Sequence, residues 1–306
     1  MVLQNGSSNK VQLNSADGSW GTLAAKTILV TGAPGGLGAS VAKTLWRRGA
    51  SLLIVGRNSD KLSRLSATLE DQAASDQKIH AITADLGQGG AAERIILEAR
   101  SLCPRLYALI NNAAELGPIG PLCKNDWRLW ERTIQVNLLA PAALCRAAVP
   151  WMKEHGGGKI INISGGGAAS PRPNFSAYAT AKAGLVRFSE TLAQELVSNN
   201  IQVNCVAPGP MNTAMLRAIL AAEPELAGDE HALALELCAS GGAQPQSAAE
   251  LIAFLLSPES QGITGKLISA VWDPWSKFAD HLDDLRNSDV YTMRRIMPSD
   301  RGLQFE

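Results

Sequence analysis

Runs of Ile, Leu and Val recur along the chain, separated by stretches in which apolar residues return every three or four positions. The runs at 28–30, 51–56, 78–83, 106–110, 159–164, 201–207 and 266–270 carry Ile, Leu and Val on both faces, which predicts strands of a sheet covered on both sides. The helical spacing predicts helices from the glycine cluster after the first strand to Gly49, and then at 59–74, 91–101, about 126–153 and 176–198. Two further helical patterns lie between 209 and 245, where Met211, Met215, Leu216 and Leu220 fit either plain packing or a pocket wall. Strands that alternate with helices imply an α/β fold: a doubly wound parallel sheet of about seven strands with helices on both faces. Ligands of such sheets bind beyond the carboxyl ends of the strands. Thr31, Asp85, Asn111, Ser164 and Pro208-Gly209 fall there.

The pattern sets the organisation. Residues 1–24 are polar and unpatterned and read as a tail; 25–271 read as the main domain; 272–306 extend beyond it, over the ligand site or across a subunit boundary, with Trp272 and Trp275 flanking Asp273-Pro274 as anchors or, less favoured, as a surface that stacks on a sugar or another flat substrate. At 306 residues and 46% hydrophobic content the chain can bury a large core. Its 28 basic and 28 acidic side chains balance, which argues against nucleic acid or an anionic membrane surface as partner. Five widely spaced cysteines without a C-x-x-C pair suggest buried thiols in place of a disulfide framework or a metal site. No apolar run resembles a signal peptide or a membrane span, and a cytoplasmic protein is expected.

Chemistry is concentrated at the first unit, where the strand meets Gly32, Gly35, Gly36 and Gly38 and a helix follows. Glycine lets the chain turn sharply and lets a phosphate approach the amides, while the helix N-terminus attracts the anion. A dinucleotide pyrophosphate is the expected guest. After the second strand comes Arg57, where a carboxylate would bind a ribose 2′-hydroxyl and an arginine a 2′-phosphate, so NADP(H) is favoured over NAD(H). Asp85 after the third strand is placed to accept from an adenine amino group or to cap the next helix. Tyr178 and Lys182 lie four residues apart on a predicted helix and so share a face, an arrangement in which an ammonium favours the phenolate of a tyrosine acting as acid and base.

With TGAPGGLG (31–38), NNAA (111–114), Asn137 in QVNLLA, YATAK and PGPMNT (208–213) in this order, the sequence resembles the short-chain dehydrogenase/reductase family over about residues 25–270. The resemblance implies a Rossmann fold and an NADP(H)-dependent oxidoreductase acting on a small carbonyl or alcohol, with NAD the less favoured cofactor. It implies Tyr178 as general acid/base, Lys182 on the nicotinamide ribose, Asn137 in a proton relay and Thr213 at the carboxamide. The implied cofactor contacts are Thr31, Gly32, Pro34, Gly35, Gly36, Leu37, Gly38, Arg57, Asp85, Leu86, Asn111, Asn112, Ala113, Lys182, Pro208, Gly209 and Thr213. A homodimer or homotetramer through the helices around 126–153 and 178–198 is also implied.

One position departs from the family pattern. The expected catalytic serine lies 13 residues before the tyrosine, and that residue is Gly165. Ser164 is the expected substitute, provided the glycines at 165–167 let the strand end bulge and redirect its hydroxyl. Otherwise position 165 is vacant and Ser176, Asn174 or a substrate group supplies the hydrogen bond. Gly165 also leaves open an alternative, a nucleotide-binding protein of this fold without net redox activity, either an isomerase or cyclase or a regulatory module.

Overall fold

The computed structural model describes residues 21–73 and 76–304. Among them seven strands form one parallel sheet: β1 (Thr27–Thr31), β2 (Ser51–Gly56), β3 (Ile79–Thr83), β4 (Ala108–Asn111), β5 (Gly158–Ile163), β6 (Ile201–Ala207) and β7 (Leu267–Ser269). Their order is β3-β2-β1-β4-β5-β6-β7. The helices are α1 (Gly36–Arg47), α2 (Ser59–Glu70), α3 (Ala91–Leu102), α4 (Trp127–Ile134), α5 (Ala140–Glu154), α6 (Ser176–Glu195), α7 (Ala214–Leu220), α8 (Pro224–Ala227), α9 (Asp229–Ser240), α10 (Pro245–Leu256) and α11 (Leu282–Asn287). Strand order reverses between β1 and β4, so the connections diverge there and leave a crevice at the carboxyl ends.

Consecutive side chains of a strand point to opposite faces, and each face here has its own core. Ile28, Val30, Leu52 and Ile54 join Leu45 and Trp46 of α1 and Phe254 of α10. Leu29, Leu53, Val55 and Leu109 join Ile95 of α3 and Leu144 and Trp151 of α5. Both faces being covered is why β1, β2 and β4 read as nearly unbroken apolar runs, whereas the edge strand β3 buries only Ile82.

One helix and two thiols differ from the expectation. Helix α10 was not expected, because nearly every one of its positions from Ala248 to Leu256 is buried and no polar stripe marks a helical period. The long helical region expected around 126–153 is present as α4 and α5, continuous through a π turn at Gln135–Leu139 that carries Asn137. Cys145 and Cys205 are buried thiols as expected, whereas Cys123 and Cys238 are exposed.

The buried Lys159 of β5 fastens α10 to the sheet. Its Nζ donates to the carbonyls of Leu255 and Ser257, both at 3.0 Å, and to Ser260 Oγ at 2.9 Å, filling acceptors left by the helix C-terminus. Burial pushes this amine down to about 8. Lys159→Met strips those acceptors of their donor and is expected to cost about 2–3 kcal/mol, read as a lower urea midpoint. An unchanged midpoint would show that the lysine adds nothing to the fold.

Both ends of the chain pack on this frame. Leu23 is buried and its N–H reaches the Arg48 carbonyl at 2.9 Å, so packing starts before the expected boundary at 25. The rest of the expected tail, 1–20, lies outside the described residues. The C-terminal extension runs along the free edge of β7: the Leu267 N–H donates to the Tyr291 carbonyl at 2.7 Å, and Lys266 Nζ to those of Ser288 and Val290 at 2.7 and 3.0 Å. Trp275 is buried against Phe254 and donates to the Ala270 carbonyl at 3.2 Å, the anchor expected of it, while Trp272 stays exposed. Among the described residues no helix is long and apolar enough to cross a membrane.

Candidate functional site

At the end of β1 the chain turns through Gly32, whose φ of +64° favours glycine, into α1. No side chain caps α1 and no acidic residue lies in its first turn, so its first amides are free to receive an anion. The turn is braced from β4. Thr31 Oγ1 accepts from the Asn112 and Ala113 amides at 3.0 and 3.1 Å, and Asn112 Nδ2 donates to the carbonyls of Thr31 and Gly32 at 3.0 and 3.1 Å. Thr213 approaches from the far side: a Cβ built on Gly36 would lie 3.5 Å from its Cγ2.

Charged side chains form a chain beside β2 and β3. Arg57 Nη1 pairs with Glu115 Oε1 at 2.6 Å, and Arg132 holds Glu115 and Asp85 at 3.0 and 3.1 Å. Asp85 also accepts from the Gly87 amide at 2.9 Å, and Gly90, not Asp85, precedes α3. Burial works against the Asp85 carboxylate, but the Gly87 amide and Arg132 outweigh it and hold its pKa below the usual value.

Tyr178 and Lys182 both lie buried on one face of α6, with the Lys182 amine 5.6 Å from the tyrosine ring centre. Lys182 Nζ donates to the Ile163 carbonyl at 2.7 Å, and burial brings it down to about 8. Burial raises the Tyr178 hydroxyl, with Arg172 opposing and Glu230 reinforcing the shift. A Cβ built on Gly165 would lie 2.5 Å from Tyr178 Oη, so a side chain at position 165 would point at the tyrosine hydroxyl. Ser164 is buried, and its Oγ has no hydrogen-bond partner among the described residues. Ser176 Oγ accepts from Trp130 Nε1 at 3.1 Å.

One cavity of about 1200 Å³ joins the glycine turn to Tyr178. Every expected site residue lines it except Thr31, Asn111 and Asn137. These stand one layer behind: Thr31 braces the turn, Asn111 Nδ2 donates to Asn162 Oδ1 at 2.8 Å, and Asn137 bonds both backbone groups of Glu115 at 2.7 and 2.8 Å. Met211, Met215 and Leu216 line the cavity, and Leu220 packs behind them. Trp272 and Tyr291 bring the C-terminal extension to its wall.

Sequence reasoning missed Arg172 and Glu230, which meet on this wall as a two-bonded ion pair, Nε to Oε1 at 2.7 Å and Nη2 to Oε2 at 2.6 Å. The guanidinium lies 4.3 Å from the Phe175 ring centre and 5.4 Å from that of Tyr178. No local period marks either residue; an arginine held between two prolines was the only sign. Glu115 and Arg132 were missed for the same reason.

A family model described as short chain dehydrogenase matches residues 26–224. Dehydrogenase/reductase SDR family member 4 of Homo sapiens is 30% identical over 246 residues, 80% of this chain and 86% of that protein. Among solved structures, L-sorbose reductase of Gluconobacter frateurii, complexed with NADPH and L-sorbose, matches with a TM-score of 0.72 at 25% identity, covering 82% of this chain and 96% of that one. The RhlG/NADP active-site complex of Pseudomonas aeruginosa matches with a TM-score of 0.70 at 27% identity, covering 81% and 95%.

Proposed function

Because this chain belongs to the short-chain dehydrogenase family of oxidoreductases, we propose that it interconverts a carbonyl and a secondary alcohol using NADP(H), with Tyr178 as the acid and base. The observation that carries this reading is the cavity that puts the uncapped glycine turn at one end and the Tyr178–Lys182 face of α6 at the other. The glycine turn and the α1 amides would hold the pyrophosphate, Thr213 and Pro208-Gly209 would meet the nicotinamide half, and Lys182 would take the ribose hydroxyls. Reduced nicotinamide supplies the hydride when bound. As the substrate carbon accepted that hydride, the C=O π pair would pass to oxygen, and Tyr178 would give the oxygen its proton. In the reverse direction the phenolate takes the proton back. Asn137 stands behind the site, on the π turn, as a positioning group for the relay that reprotonates Tyr178.

The choice of NADP(H) rests on Arg57, with the NADP(H) complexes of the two structural neighbours in support. The Arg57 side chain is 61% exposed, so its pair with Glu115 is a surface ion pair worth about 0–1 kcal/mol. A charged hydrogen bond to a 2′-phosphate, at about 1.5–3 kcal/mol, exceeds that. Arg57→Ala is therefore expected to weaken NADPH binding about tenfold and leave NADH binding nearly unchanged, by fluorescence titration. An unaltered preference would refute the assignment.

The reading as a whole is tested by NADPH and NADH affinity, followed by cofactor absorbance with a panel of ketones, aldehydes and keto-sugars. Turnover with NADPH supports it. No turnover across the panel despite tight binding counts against it.

A further inference from the structure

We propose that Arg172 polarises the substrate's carbonyl oxygen through Nη1, standing in for the serine that position 165 lacks. This rests on the oxidoreductase reading above. A side chain at 165 would point straight at Tyr178 Oη, so the empty place lies where a second donor to the reacting oxygen belongs. The Ser164 hydroxyl lies on the same wall, buried and without a partner, but one position away from 165, and Ser176, which accepts from Trp130 on α4, is not on that wall. Asn174 is not on the cavity wall.

Arg172 is on that wall and reaches the glycine stretch. The atoms nearest to a Cβ built on Gly166 are its Cζ, Nε and Nη1, all at 4.0 Å, which puts the guanidinium in van der Waals reach of position 166. Glu230, from the first turn of α9, takes Nε and Nη2. That pairing fixes the guanidinium plane over the rings of Phe175 and Tyr178 and leaves Nη1 without a hydrogen-bond partner among the described residues. A guanidinium is always charged and donates only, so its free N–H is matched to an oxygen that gains negative charge as hydride arrives. In a largely buried setting such a donor needs no reorganisation when the charge develops. Glu230 is then a positioning residue, holding Arg172 in one plane.

The test is difference infrared spectroscopy of isotope-labelled acetophenone bound to the enzyme with NADP⁺, where the ketone cannot be reduced. The wild type should shift the carbonyl stretch to lower frequency. Arg172→Gln should lose most of that shift, Arg172→Lys should keep part of it, and Glu230→Gln should broaden and reduce it. NADP⁺ affinity, followed by tryptophan fluorescence, should be retained in each variant, which separates loss of the donor from loss of the fold. An undiminished shift in Arg172→Gln overturns the proposal, as does no shift in the wild type with NADP⁺ bound. A shift lost in Ser164→Ala but kept in Arg172→Gln also overturns it and returns the role to Ser164. Failure of the wild type to bind NADP⁺ removes the cofactor reading first, and this inference with it.

Discussion

Tyr178→Phe is expected to bind NADPH as the wild type does and to lose turnover by about 10²–10⁴-fold, the range for removing a positioned proton donor. The substitution deletes one oxygen that makes no hydrogen bond among the described residues and leaves the Lys182 contact to the Ile163 carbonyl in place, so the fold has little reason to change. The pH dependence has a definite sign. Tyr178 is raised by burial, with Glu230 adding and Arg172 opposing, and the facing ammonium is that of Lys182. Reduction uses the protonated tyrosine, so its rate should hold through neutral pH and fall only as pH climbs through the tyrosine pKa. Oxidation uses the phenolate and should rise over the same alkaline range. Steady-state rates in both directions check this, and full activity of the Phe variant would end the proposed mechanism.

Gly38→Ala is expected to abolish measurable NADPH binding and to lower stability by about 1–3 kcal/mol, the usual cost of forcing atoms into a packed site. The added Cβ would run into the Gly32 carbonyl oxygen and come within 2.8 Å of Asn112 Nδ2 and 2.9 Å of Ala33 Cα. Two of those neighbours are backbone, which cannot swing aside, and Asn112 is the brace of the turn. Gly36→Ala is the comparison. Its Cβ meets only Thr213 Cγ2 at 3.5 Å, an ordinary contact, so its thermal unfolding should match the wild type. Equal melting temperatures for the two variants would show that the turn is looser than these distances imply.

The C-terminal extension illustrates the boundary between the two kinds of information. Its tryptophans were legible as anchors, and Trp275 is one. That the segment would lie along β7 and bring Tyr291 to the cavity wall was not legible, because it depends on where the sheet ends in space. The family model matches 26–224, so it gives no account of this segment either.

The sequence by itself determined the seven strands, the glycine turn at Gly32–Gly38 and the shared face of Tyr178 and Lys182. Each of these is set by residues within a few positions of one another, through the two-residue period of a strand, the spacing of a helix or the steric freedom of glycine. The tertiary structure decided the rest. Arg172 finds Glu230, and Arg57 finds Glu115, each across 58 residues of chain. Asn111 turns to Asn162 on β5, away from the cavity. Position 165 proves to face the tyrosine hydroxyl. Helix α10 escaped notice because burial on every side erases the polar stripe by which a helix is recognised. An ion pair between loops and helices distant in sequence has no local period, so only the folded chain sets which charges meet.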